Sequence, residues 1–173
     1  MRRWQSLTLS AAFLAIAPGV VAGVTPWWLT GWRFAPPLLA WSGAPWLGGG
    51  LIAAGAGALL ECFVRFAWRG RGTPAPVAPT ADLVVSGLYR FTRNPMYLAV
   101  IALVVGQALL FGATILLVYA AALTAGFHLF VIGYEEPSLR RRFPQAYSDY
   151  MRRTPRWLGW RAPRERAERR ERR

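Results

Sequence analysis

Between Met96 and Gly133 the chain carries no aspartate, glutamate, lysine or arginine. This run is nearly twice the length of a helix that crosses about 30 Å of hydrocarbon at 1.5 Å per residue, so it must turn back on itself. The turn is expected at Phe111-Gly112, where a glycine follows a helix of about 17 residues. An antiparallel hairpin then returns the chain to the membrane face it left. Mean hydropathy of +0.26 and 54% hydrophobic residues over 173 positions describe one integral membrane domain rather than a soluble one. The expected fold is an all-α membrane protein of about four transmembrane helices, the last two forming the hairpin, with a basic cytoplasmic C-terminal segment.

Two further spans precede the hairpin. Arg2-Arg3 and the apolar run ending in Val20-Val21-Ala22-Gly23-Val24 resemble a signal peptide as well as a span. The run is long for a cleaved segment, and a retained first helix is expected. Thr25 to Pro37 holds Trp27, Trp28 and Trp32 with only Arg33 for charge, the composition of an aromatic belt loop. A second span is expected from Pro45 to Phe66, with Gly50, Ala54 and Ala58 as its close-packing face. Near its cytoplasmic end Glu61 and Arg65, four apart, can pair. The domain therefore divides into two spans over 1–66, a cytoplasmic strap and helix start over 67–95, the hairpin over 96–134 and a basic tail over 135–173. Alternating prolines in 67–86 make the strap extended and stiff.

The formal charge of +13 comes wholly from arginine and is clustered, which points to anionic lipid headgroups before nucleic acid. Four spans with both termini cytoplasmic place every arginine cluster on one face, as the positive-inside rule asks. From Arg140 onward thirteen arginines face Asp149, Glu165, Glu168 and Glu171. The lone Cys62 excludes an intrachain disulfide and a cysteine metal cluster, and no metal is expected.

The chemistry concentrates where the hairpin begins and ends. Gly87-Leu88-Tyr89-Arg90-Phe91-Thr92-Arg93-Asn94-Pro95-Met96-Tyr97 is the last polar stretch before the apolar run. Asn94 reads as an N-cap and Pro95 as the first helical residue. Arginines beside the positive end of a helix dipole suit an anionic ligand group. The hairpin brings Arg90, Arg93 and Tyr97 close to Glu135 and Glu136, and Pro137 is expected to end the helix there. Successive helical side chains diverge by about 100°, so the two glutamates cannot share one role: one can meet a ligand while the other holds an arginine. His128, seven residues before Glu135, lies on nearly the same face and is either a cavity residue or satisfied packing. Tyr147 and Tyr150, and Trp157 and Trp160, each three apart, face the bilayer or the ligand.

Gly87-x-Tyr89-Arg90-x-x-Arg93-Asn94-Pro95-x-Tyr97, an apolar hairpin, Glu135-Glu136-x-x-Leu139-x-x-x-Phe143-x-x-x-Tyr147-x-x-Tyr150 and Pro155-Arg156-Trp157 together resemble the isoprenylcysteine carboxyl methyltransferase and phospholipid methyltransferase superfamily. The Gly70-x-Gly72-Thr73-Pro74-x-Pro76 strap resembles a bacterial branch of it, which places the chain in a bacterial inner membrane. The resemblance covers roughly residues 63 to 157. It implies a membrane-embedded S-adenosylmethionine-dependent methyltransferase, with a cofactor pocket at the cytoplasmic face and a lipophilic small-molecule or lipid acceptor arriving from the bilayer. Arg93, Pro95, Tyr97, Glu135 and Glu136 are the positions that the resemblance assigns to the cofactor. The chain departs from the pattern at Asn94, usually histidine, at Leu88, usually proline, and at Pro144, usually glycine.

The residues fit that chemistry on their own terms. Arg93 and the helix start at Asn94 and Pro95 suit a carboxylate, and a glutamate suits an ammonium or a ribose diol. Tyr89, Tyr97 or Tyr147 suits an adenine or a sulfonium. Gly87 and His128 complete the candidate cofactor set. Arg90, Glu136 and Arg156 are the catalytic candidates: an arginine holds a carboxylate acceptor, whereas an amine acceptor needs a glutamate or water to take its proton. Two other functions compete, a sterol-type membrane reductase using NADPH and a non-catalytic protein that binds anionic lipid.

Overall fold

The structure is a computed structural model that describes residues 16–69 and 83–159. Arg2, Arg3, most of the first span, the proline-rich centre of the strap and the tail from Trp160 lie outside the described residues. The elements in order are a π-helical turn at Val20–Val24 leading into α1 (Thr25–Thr30), α2 (Ala44–Arg69), α3 (Pro95–Phe111), α4 (Thr114–Phe130), a second π-helical turn at Val131–Glu135, α5 (Glu136–Arg142) and α6 (Pro144–Arg153). Two stretches, Ala44–Arg65 and Thr114–Arg142, are long and apolar enough to cross a membrane, and Pro95–Phe111 is a shorter apolar helix.

The hairpin turns where glycine allows it. Gly112 has φ +69°, caps α3 by donating its N–H to Ala108, and lies so close to the carbonyls of Pro36 and Ala35 that a Cβ would overlap them. The Ala35 N–H donates to the Phe111 carbonyl at 2.9 Å, which ties the loop after α1 to the same turn. Below it, Val104, Ala108, Leu116 and Ala120 join α3 to α4, and Leu59, Phe63, Ala99 and Val100 join α2 to α3.

Of the small-residue face expected on α2, Ala58 packs at the junction with α3, but the other two positions do not. Gly50 meets open space and Ala54 is exposed; Gly48 and Gly55, two turns apart, take the contact instead. A Cβ at Gly48 would lie 2.6 Å from the backbone of Gly106 and Leu110, and one at Gly55 would lie 2.9 Å from the Ala99 carbonyl. Only glycines let the two backbones approach this closely.

Pro137, read as a helix terminator, and Pro26, in the expected loop, both lie inside continuous helical segments. Thr25–Thr30 is helical where a loop was expected, and the segment ends only at Gly31, φ +58°. Pro26 has no N–H for the Ala22 carbonyl four residues back, and the π turn already loosens the ladder there. Side chains of the hairpin take over. Gln107 donates from Nε2 to the Ala22 carbonyl at 2.7 Å and Tyr119 donates to the Val21 carbonyl at 3.0 Å. Gln107 is held in turn by Trp32, whose Nε1 donates to its Oε1 at 3.1 Å. Likewise the helix runs through Pro137 into α5, with the π turn at Val131–Glu135 just upstream, where the Glu136 N–H donates to the Val131 carbonyl.

Candidate active site

The segment before α3 is laid out by one glycine and one ion pair. Gly87, φ +64°, opens a short 3-10 turn to Arg90, and a Cβ on it would collide with the side chains of Arg65 and Glu61. Those two pair along α2 as their spacing suggests, and Arg65 reaches on to Ser86 Oγ at 3.4 Å. Tyr89 is buried, and its carbonyl accepts from the Tyr150 hydroxyl at 2.6 Å. Burial pushes the phenols of Tyr89, Tyr147 and Tyr150 above their ordinary range.

α3 starts at Pro95 with Asn94 in the N-cap position, but the Asn94 side chain does not cap the helix. Its amide donates to the Arg156 carbonyl at 2.9 Å. Thr92 donates its hydroxyl to the same carbonyl at 3.2 Å and also accepts from the Asn94 N–H, while the Arg93 N–H donates to the Pro155 carbonyl at 2.9 Å. Three consecutive residues thus clasp the backbone of the Pro155-Arg156-Trp157 segment.

Glu136 is the electrostatic centre. Only 5% exposed, it accepts from Arg156 through Nε at 2.6 Å and Nη2 at 3.0 Å, and from Arg93 Nη1 at 3.0 Å. Arg140, one turn on, lies 3.7 Å from its second oxygen. Glu136 lies inside the helical segment that continues from α4 through the π turn into α5, rather than at the expected helix C-terminus. The carboxylate holds the Arg156 guanidinium more firmly protonated than usual. Arg93 also donates to the Tyr147 hydroxyl at 3.2 Å, yet its buried Nε has no partner among the described residues. Glu135 turns elsewhere and accepts from the Tyr97 hydroxyl at 3.0 Å. The adjacent glutamates therefore serve different partners.

An aromatic wall flanks this arrangement. The Tyr97 ring lies 4.6 Å from Phe127 and 6.4 Å from Trp157, and Trp157 Nε1 donates to His128 Nδ1 at 3.1 Å. His128 thus meets Trp157 rather than a glutamate. Arg90 stands apart from the cluster: it is exposed, with its guanidinium over the Phe91 ring at 5.7 Å. Tyr147 and Tyr150 face inward, and Pro144 is accommodated at the first position of α6. Thr92 and Arg140 belong to the site without having been singled out for it. For Arg140 a signal was present, its spacing of four from Glu136.

The cluster joins the start of α3, the end of the hairpin and the segment after α6. A buried guanidinium with a spare N–H, a second carboxylate and inward phenols form a polar site beside apolar helices, suited to a ligand with both charged and lipophilic parts. The family model of phospholipid methyltransferases matches residues 44–146, more than half of the chain. No curated protein and no solved structure matches it.

Proposed function

The chain belongs to the phospholipid methyltransferase family, whose members are S-adenosylmethionine-dependent membrane methyltransferases, and from that premise we propose how it binds the methyl donor and where the acceptor meets it. Family membership implies a lipid substrate. The proposed acceptor carries a carboxylate or an amine and reaches the cytoplasmic membrane face from the bilayer. The proposed topology has four spans and both termini in the cytoplasm, which sets the arginines of α5 and α6 against anionic headgroups.

The observation that carries the reading is the buried Nε of Arg93, unpartnered among the described residues. A buried guanidinium N–H without an acceptor is costly in the free protein, and a ligand carboxylate supplies the missing partner. The donor set therefore fits S-adenosylmethionine. In this reading Arg93 and the start of α3 hold its carboxylate. Glu135, oriented by Tyr97, takes the ammonium or the ribose diol. Tyr97 and Tyr147 offer aromatic faces to the adenine or the sulfonium. Glu136 fixes Arg93 and Arg156 and so sets the charged wall.

S-adenosylmethionine supplies an electrophilic methyl group, and the protein's part is to align it with the acceptor and keep water out. Arg156, and Arg90 at the exposed rim, orient an anionic acceptor. If the acceptor is an amine, a glutamate or water takes its proton.

Calorimetric titration of detergent-purified protein with S-adenosylhomocysteine, beside NADPH, tests this reading on wild type and Glu135→Gln. Micromolar binding of the first ligand, weakened in the variant, is expected. Binding of NADPH alone would move the assignment to a reductase, and binding of neither would leave a protein of the anionic membrane surface.

A further inference from the structure

Arg156 reaches Glu136 from a segment that is not part of any helix. A guanidinium on a loose chain end would lose much of its attraction to the entropy of being held. Here the backbone, not the side chain, is what the neighbouring residues grip. The Arg156 carbonyl accepts from Asn94 Nδ2 and Thr92 Oγ1, and the preceding carbonyl accepts from the Arg93 N–H. Thr92, Asn94 and Thr154 are all buried, so these bonds are shielded from water. With the carbonyl fixed, the side chain leaves on the Glu136 side and makes its two-pronged contact.

We propose that Asn94 and Thr92 are positioning residues that act on the methyl-donor site through Arg156, by holding its carbonyl so that its guanidinium pins Glu136 and, through Glu136, Arg93. This rests on the reading of the Arg93 cluster as the S-adenosylmethionine site. It gives the Asn94 side chain a task other than touching the ligand or capping α3. An amide suits that task, since it presents N–H donors to a carbonyl without titrating near neutral pH.

The test is a double-mutant cycle read by S-adenosylhomocysteine affinity, with Asn94→Ala, Arg156→Ala and the pair in full-length protein in detergent. Asn94→Ala is expected to weaken binding about tenfold on its own and to have almost no further effect once Arg156 is alanine, because a residue that acts through another loses its effect with it. Equal losses in both backgrounds would overturn the proposal, since a direct ligand contact or a general packing role is additive. Should Asn94→Ala not fold, Thr92→Val, which keeps the shape and removes the hydroxyl, enters the same cycle with the same two outcomes. Absence of binding by wild type would sink the site assignment itself, whereas binding with an additive cycle would sink only the positioning role.

Discussion

Arg156 and Glu136 meet through two parallel hydrogen bonds, 2.6 and 3.0 Å long, although their backbones belong to segments separated by the whole of α6. The contact closes the C-terminal segment over the cluster.

Glu136 and Glu135 should therefore respond differently to the same change. Glu136→Gln leaves Arg93 and Arg156 without a counter-charge, and breaking a buried pair in this way costs about 3–5 kcal/mol. Glu135→Gln keeps an acceptor for Tyr97 and should cost little stability. Thermal unfolding in detergent should show a large drop in Tm for the first variant and a small one for the second, with ligand affinity reduced in both.

Gly87→Ala combines an unfavourable φ with a collision against the Glu61–Arg65 pair, and a loss of about 1–2 kcal/mol is expected. Gly50→Ala is the matched control: it adds a methyl in open space and improves helix propensity, so it should be neutral or stabilising by up to about 1 kcal/mol. Equal Tm changes in the two variants would contradict this account.

Gln107→Leu strips the Ala22 carbonyl of its donor and should destabilise the fold by about 1–3 kcal/mol. In a Pro26→Ala background residue 26 regains an N–H, so the same substitution should cost clearly less. Thermal unfolding of the four proteins in that cycle checks the compensation between proline and glutamine.

Three buried phenols, Tyr89, Tyr147 and Tyr150, have folded-state pKa values raised above the ordinary value of 10.0, chiefly by burial. A raised pKa means that the unfolded chain loses these protons first. The stability they contribute is complete below about pH 10 and falls as the pH climbs beyond it. Tm measured from pH 8 to 11 should decline above pH 10, and Tyr150→Phe should decline less steeply than wild type.

The meeting of Tyr97 with Glu135 and of Arg93 with Glu136 was legible in the sequence, because an apolar run of two helix lengths with a glycine at its middle has one way to fold. The same reasoning ended a helix at Pro137 and read the stretch around Pro26 as loop. Local rules treat proline as a terminator, whereas here a π turn sits just upstream of each and, at Pro26, side chains from other helices serve the carbonyls left over. The partner of Asn94 was hidden for another reason: its amide bonds a carbonyl sixty-two residues away, and no local pattern encodes such a contact. The choice of Gly48 and Gly55 over Gly50 and Ala54 also depends on how α2 is rotated against α3, which periodicity alone leaves open.

The π turn at Val131–Glu135 holds one residue more than an α-helical turn would need for the same advance. Removing one residue from it would restore an unbroken α-helix and rotate everything downstream by about 100°. Glu135 and Glu136 would then leave Tyr97, Arg93 and Arg156, while the spans above stayed in place. The register between membrane anchor and reaction face is thus stored as a residue count, and a single-codon deletion would uncouple the two without altering any side chain in the site.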